Sequence, residues 1–151
     1  MPDSRISHPV ILVVEDNVDD EALSTRALRQ QLPHARIAVA RDGHDAVECT
    51  AGTLTINDVK VETTPSLILL DLKLPKIHGL DVLMAVRDCP TTKYVPVVVF
   101  SSSDERQDVD RAYARGANTY VRKPTEYEDY MRAVRMIADY WFNFATLPVT
   151  A

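Results

Sequence analysis

Apolar positions in this chain come in two rhythms. Short unbroken runs such as Val10–Val14, Leu67–Leu70 and Val97–Phe100 alternate with longer segments whose apolar residues recur every three or four positions. Unbroken runs of this length read as strands buried on both faces of a parallel sheet, and the second rhythm reads as helices with one covered face. Strands are therefore predicted at Val10–Val14, Arg36–Ala40, Leu67–Leu70, Val97–Phe100 and Thr119–Val121. Helices are predicted at Val18–Leu32, His44–Thr50, Leu80–Asp88 and Glu105–Arg115, with a last one from Glu126 to about Phe144. The first puts Val18, Ala22, Leu28 and Leu32 on one face, and the fourth does the same with Val109, Ala112, Tyr113 and Gly116. Ser102-x-x-Glu105 and Thr125-x-x-Glu128 have capping-box spacing and mark two helix starts. Strand–helix alternation of this kind means an α/β fold, a parallel sheet wound with helices on both faces through right-handed crossovers.

Two stretches break the pattern. Ala51–Ser66 is rich in Thr, contains Gly52 and Pro65, and is longer than the usual helix-to-strand connection; it reads as a surface insertion with a short strand around Val59–Val61. Tyr140-Trp141-Phe142-Asn143-Phe144 carries the only Trp and two of the three Phe residues. Tyr127, Met131, Val134, Ala138 and Trp141 form one stripe, which Tyr130, Ile137 and Phe144 widen beyond what one sheet face covers. Core packing of the whole stripe is one explanation; the other, which its width favours, is a homodimer through the last helix and the C-terminal aromatics. The expected organisation is an N-terminal tail at 1–8, one domain at 9–139 and an aromatic extension at 140–151.

Composition narrows the function classes. A net charge of −5 leaves no broad footprint for nucleic acid or an anionic membrane. Cys49 and Cys89 are too few for a disulfide scaffold, and His8, His34, His44 and His78 show no ligand spacing. The longest apolar run, Val10–Val14, falls far short of the roughly 20 residues that cross a bilayer, and Met1-Pro2-Asp3-Ser4-Arg5 does not resemble a signal peptide. A cytoplasmic protein is expected.

The candidate chemistry lies where the strands stop. Glu15 and Asp16 follow the first strand, Asp71 the third, Ser101 the fourth, and Lys123-Pro124 the fifth, so all land on one edge of a parallel sheet. In open α/β sheets ligands collect at that edge, where the strand order reverses. Asp16 and Asp71 suit Mg²⁺, which takes a few carboxylates and keeps several waters. Asp71 has a free oxygen able to attack phosphorus, and Ser101 with Lys123 can hold the other phosphoryl oxygens.

At this point the chain resembles the receiver domain of bacterial two-component response regulators, the chemotaxis-regulator family, over residues 9 to about 139. The matching pieces are Val13-Val14-Glu15-Asp16-Asn17, Leu70-Asp71-Leu72-Lys73-Leu74-Pro75, Gly79, Val99-Phe100-Ser101-Ser102, and Gly116-Ala117 with Tyr120-Val121-Arg122-Lys123-Pro124. Ser101 stands thirty positions after Asp71 and Lys123 fifty-two, both usual for the family. The resemblance implies a flavodoxin-like five-stranded parallel sheet in the order 2-1-3-4-5. It makes Asp71 the phosphate acceptor, and Glu15, Asp16, Asp71 and the Lys73 main-chain carbonyl the Mg²⁺ site. Ser101 and Tyr120 become the switch pair, and Lys123 the phosphate holder, followed by a cis peptide at Pro124. Two positions depart: Lys73 stands where Asn or Met is common, and His78 where Asp often precedes the glycine. Lys73, with Ser103, is expected to alter how fast water removes the phosphate. The insertion, the Ser101-Ser102-Ser103 run and the aromatic ending are similar to single-domain regulators paired with bacterial and cyanobacterial phytochromes, which implies a light-sensing histidine kinase as donor.

Taken singly, these residues have plain explanations. Glu15-Asp16-Asn17 suits a strand-to-helix turn, Asp71 a loop acid, Lys123 a solvated side chain, Ser102 a helix cap, and Tyr120 strand packing. Their joint order and spacing argue otherwise. A haloacid-dehalogenase-type phosphatase wants Asp two residues after its nucleophile, where this chain has Lys73. No G-x-G-x-x-G follows the first strand and no basic helix-turn-helix follows the last, which disfavours a nucleotide-binding or DNA-binding protein. The expected role is a phosphoacceptor signalling protein rather than an enzyme. The alternative is an interaction module of the same fold that works without phosphorylation.

Overall fold

A computed structural model of the chain describes residues 8–148, so residues 1–7 of the expected tail and 149–151 of the extension lie outside the described residues. The elements follow in strict alternation except at one point. They are β1 (Val10–Val14), α1 (Val18–Gln31), β2 (Arg36–Ala40), α2 (Gly43–Cys49), β3 (Thr53–Ile56), β4 (Val59–Glu62) and β5 (Leu67–Leu70). Then come α3 (Gly79–Asp88), β6 (Val97–Ser101), α4 (Arg106–Ala114), β7 (Thr119–Arg122) and α5 (Tyr127–Asp139), with a π-helical turn at Tyr140–Phe144.

The sheet runs β4-β3-β2-β1-β5-β6-β7. Its five parallel strands, β2-β1-β5-β6-β7, have the expected order, and their ranges match except that β6 and β7 each run one residue further, to Ser101 and Arg122. The expected five-stranded sheet is nonetheless too small. The insertion folds into a β3–β4 hairpin that adds two antiparallel strands beyond β2, making seven. A two-residue turn closes the hairpin, with φ of 51° at Asn57 and 62° at Asp58, the left-handed pair that a type I′ turn requires. Leu54 and Ile56 turn inward while Thr53 and Thr55 do not, so a four-residue alternation suffices to dock it.

β1 is buried at all five positions because both its faces are covered. Alternate residues enter two cores. Leu12, Val14, Ile68, Leu70, Val97 and Val99 pack under α2, α3 and α4. Ile11, Val13, Leu67, Leu69, Val98 and Phe100 pack under α1 and α5. On α1 the buried positions are Ser24, Ala27 and Leu28, whereas Val18 and Ala22 point to solvent, against the expected face. The reason is Tyr130 of α5, whose hydroxyl reaches Ser24 Oγ (2.8 Å) and the Asp20 carbonyl (3.1 Å) and draws that side of α1 inward. Tyr130 also meets the Phe100 ring edge-on at 5.1 Å.

Neither capping box forms. The α4 start is held by Ser103, whose Oγ accepts from the Glu105 N–H (3.3 Å) and donates to Asp108 (2.6 Å), so Ser102 is left exposed. At α5 the cap position is Glu126, without a side-chain bond, rather than Thr125. His78 caps α3 instead, its Nδ1 accepting from the Leu80 N–H at 3.1 Å. A side chain able to accept there is what the common Asp would also have supplied. No helix among the described residues is long and apolar enough to cross a membrane.

Candidate functional site

Each site residue is placed by a strand end. β1 stops at Val14 because the next two residues are acidic, and Asn17 then turns the chain into α1, its Oδ1 accepting from the Asp20 N–H at 2.9 Å. That turn leaves Glu15 buried under the sheet edge and Asp16 exposed above it. β5, the neighbour of β1, delivers Asp71 to the same edge, where it is buried although charged. The loop after Asp71 is pinned by Gly79: its N–H donates to the Leu72 carbonyl (2.9 Å), and a Cβ there would stand 2.5 Å from the Asp71 carbonyl oxygen. Only glycine lets α3 begin this close to the site.

Glu15, Asp16 and Asp71 each offer an oxygen within 4.8 Å of the others. Lys123, at the end of β7, closes the site. Its buried ammonium donates to Glu15 Oε2 (2.6 Å), Asp71 Oδ2 (2.8 Å) and Asp20 Oδ2 (2.8 Å). Burial alone would lower the Lys123 pKa, but those hydrogen bonds outweigh it and hold the ammonium above its ordinary value. Burial likewise pushes Glu15 up to about 7, aided by the charge on Asp71 and opposed by Lys123. One cation thus serves three carboxylates, with Asp16 a fourth close by. Asp71 Oδ1 is engaged by the Lys73 N–H at 3.1 Å, while the Lys73 side chain points to solvent. The Lys123–Pro124 peptide is trans, not cis as expected.

Ser101 and Tyr120 lie on adjacent strands and are joined through Ser103. The Ser103 N–H donates to Ser101 Oγ (3.4 Å), and the Tyr120 hydroxyl donates to the Ser103 carbonyl (2.7 Å). Ser101 is fully buried, and Tyr120 is half-buried with its pKa raised by burial. Glu15, Asp16, Asp71, Ser101, Tyr120 and Lys123 therefore gather at one edge, with the Lys73 backbone, whose carbonyl is the predicted ligand, bonded to Asp71 through its N–H. Sequence reasoning missed Asp20 and the bridging place of Ser103. Asp20 follows Asp16 by one helical turn at the start of α1, a spacing that could have pointed to it.

The oxygen-only donor set, half buried and only partly neutralised by one ammonium, fits a hard divalent cation such as Mg²⁺. A parallel doubly wound sheet with carboxylates at its switch point, and a Ser and a Lys on the next two strand ends, defines the receiver class. The chain belongs to the response regulator receiver domain family, which it matches over residues 11–135. The family's function is to accept a phosphoryl group in two-component signalling, and its members pair with histidine kinases.

Several relatives resemble it over nearly their whole length. Response regulator Rcp1 of Synechocystis sp. is 33% identical over 148 residues, covering 98% of this chain and 99% of that one. The crystal structure of Rcp1 with Mn²⁺ bound superposes with a TM-score of 0.83 over 93% of this chain and 99% of that one. The phosphorylated cyanobacterial phytochrome response regulator RcpA is 35% identical, with a TM-score of 0.83 over 94% and 99% of the two chains. The bacteriophytochrome response regulator AtBRR is 37% identical, with a TM-score of 0.68 over 93% and 98%. The chain is thus a receiver-domain response regulator homologous to phytochrome response regulators.

Proposed function

We propose that this protein receives its phosphoryl group on Asp71 and passes the signal on by changing how it binds other proteins. The observation that carries the reading is the environment of Asp71: a buried carboxylate at the switch point, with acidic neighbours for a metal and the Lys123 ammonium 2.8 Å from one oxygen. In the transfer, an Asp71 oxygen attacks phosphorus of a phosphohistidine and the P–N bond breaks. The bonding pair returns to the imidazole nitrogen, which takes up a proton, and Asp71 is left as an acyl phosphate. Glu15, Asp16, Asp71 and the Lys73 main-chain carbonyl would hold Mg²⁺, which supplies charge neutralisation for the transferring group. Lys123 exchanges a carboxylate partner for a phosphoryl oxygen. Ser101 donates its hydroxyl to another, and through Ser103 that movement reaches Tyr120. Phosphorylation brings roughly two negative charges to the site, enough to rebalance Lys123 and reset the α4–β7–α5 surface.

The donor in this reading is a histidine kinase of the bacteriophytochrome type, supported by the identity to RcpA, Rcp1 and AtBRR. The setting is cytoplasmic, and any catalysis is confined to self-phosphorylation and dephosphorylation. Residues 9–139 form the receiver unit and 140–151 its aromatic extension, of which the Tyr140–Phe144 turn continues α5 toward a second copy. Met136, Tyr140 and Phe144 recur every four positions and are solvent-exposed, Phe144 at 75%, as a homodimer face would be. Replacing Met136 and Phe144 together by Ser should at least halve the solution mass; an unchanged mass would move the interface elsewhere.

Incubation with Mg²⁺ and acetyl phosphate tests the central reading. One acid-labile phosphate per chain should appear in the wild type and none in Asp71→Asn. Labelling that survives in Asp71→Asn would remove the assignment.

A further inference from the structure

The seven-stranded sheet ends on β4, whose outer side has no strand partner among the described residues. Its two-residue turn makes Ile56 and Val59 a hydrogen-bonded pair, and Thr63 N–H donates to the Gly52 carbonyl (2.9 Å). In an antiparallel ladder hydrogen-bonded pairs alternate with unbonded ones. Val59, Val61 and Thr63 therefore turn their backbone groups toward β3. Lys60 and Glu62 turn their N–H and C=O groups outward, and both side chains are exposed.

We infer that this edge is a pairing surface for a second copy of the same chain. The strand Val59-Lys60-Val61-Glu62 is self-complementary about a two-fold axis through Val61. In that antiparallel register, Lys60 faces Glu62 of the partner subunit and Glu62 faces the partner's Lys60. These are the two positions with free backbone groups, so four N–H···O=C bonds form. Each is matched by an opposite-charge pair on one face of the extended sheet. On the other face Val61 meets its symmetry mate, continuing the apolar side that packs Val61 against Leu54 and the core. A lone charge on an edge strand ordinarily blocks pairing. Here the Lys-x-Glu spacing turns the block into a register: a one-residue slip would set the charges against Val59 and Val61. The pairing is isologous, so each β4 edge joins one partner copy and no more. It is separate from the α5 surface and does not depend on phosphorylation.

A cysteine placed on the two-fold axis reads this contact directly. Opposed residues of an unbonded pair have Cα atoms about 4.5 Å apart, within the range a disulfide spans. In a Cys89→Ser background, mild oxidation of a Val61→Cys variant should give a disulfide-linked dimer. Adding Lys60→Glu sets like charges opposite each other twice and should cut the yield at least tenfold, and the charge swap Lys60→Glu/Glu62→Lys should restore it. Circular dichroism confirms folding, since both charged positions are exposed. No cross-link, a cross-link indifferent to Lys60→Glu, or a swap that fails to restore it would each overturn the inference.

Discussion

The Lys123 ammonium sits 2.6 Å from Glu15 Oε2, although the two residues lie 108 positions apart in the chain. Three parallel strands are required to bring this about: β1 carries Glu15, β5 the Asp71 beside it, and β7 the lysine that spans both. Asp20 reaches the same nitrogen from the first turn of α1, so the helix start is tied to the site as well. The arrangement holds more negative than positive charge. Its surplus is a reason to bind a cation, and the shared lysine is a group able to change partners when phosphate arrives.

The surplus makes metal-free stability depend on pH through Glu15. Its pKa, raised by burial from 4.5 to about 7, means the folded protein binds a proton that the unfolded chain has released. Between about pH 4.5 and 7 the native state therefore holds more protons, and stability falls as pH rises across that window. The full effect is about 3 kcal/mol. The raised Lys123 pKa adds no slope there, because its contribution is complete below 10.5 and is lost only in strong alkali. Urea unfolding in EDTA should show the slope in wild type and its loss in Glu15→Gln. Equal slopes in both proteins would place the titration on another group.

Divalent cations should reverse the repulsion. Mg²⁺ at a hundredfold excess over its Kd should stabilise the folded state by about 2.7 kcal/mol, read as a rise in Tm. Asp16→Asn should remove most of that rise while leaving metal-free folding intact, because Asp16 is exposed. An undiminished shift in Asp16→Asn would show the cation binding elsewhere.

The parallel strands and the site members were legible because both follow from one physical rule: apolar runs are buried and polar residues end them. Glu15, Asp71, Ser101 and Lys123 could be placed on one edge before any geometry was known. The hairpin was harder, since the Thr53–Ile56 alternation is only four residues long and the Asn57-Asp58 turn lacks the glycine that usually signals such a connection. Val18 and Ala22 misled because periodicity shows only that a helix has an apolar side. It could not show that the Tyr130–Ser24 bond would draw a polar position inward. Caps failed for a similar reason: spacing favours Ser102, three residues before Glu105, and only the path of the chain toward Tyr120 selects Ser103.

Arg87 is the least legible of the structural residues and should be among the costliest to lose. From α3 it donates to the carbonyls of Gly116 (2.8 and 3.0 Å), Lys93 (3.1 Å) and Val95 (2.7 Å), and to Asn118 Oδ1 (2.9 Å). It thereby ties the loops that precede β6 and β7 to the helix. Gly116, at φ +101°, is packed so tightly against it that an added Cβ would meet Arg87 Nε at 2.9 Å. Arg87→Met should cost about 3 kcal/mol, because half-buried carbonyls lose a charged donor. Arg87→Lys should recover little of this, since an ammonium cannot reproduce the fork. Chemical denaturation of both variants checks it, and near-native stability in Arg87→Lys would refute the dependence on geometry.

The two cysteines should react differently, for electrostatic as well as steric reasons. Cys49 is buried in the core, and desolvation pushes its pKa up to about 11, with Asp45 and Glu48 adding to the shift. Cys89 is partly accessible, and its hydrogen bond with the Thr91 hydroxyl (3.2 Å) lowers its pKa. The thiolate is the reactive form, so at pH 8 iodoacetamide should modify Cys89 and spare Cys49 in the native protein. Raising the pH toward 9 should speed the Cys89 reaction only until its thiolate fraction saturates. Modification of Cys49 should appear with denaturant and track global unfolding. Peptide mapping by mass spectrometry after timed alkylation distinguishes the two sites. Equal native-state rates would mean that α2 opens locally, at a free-energy cost well below that of global unfolding.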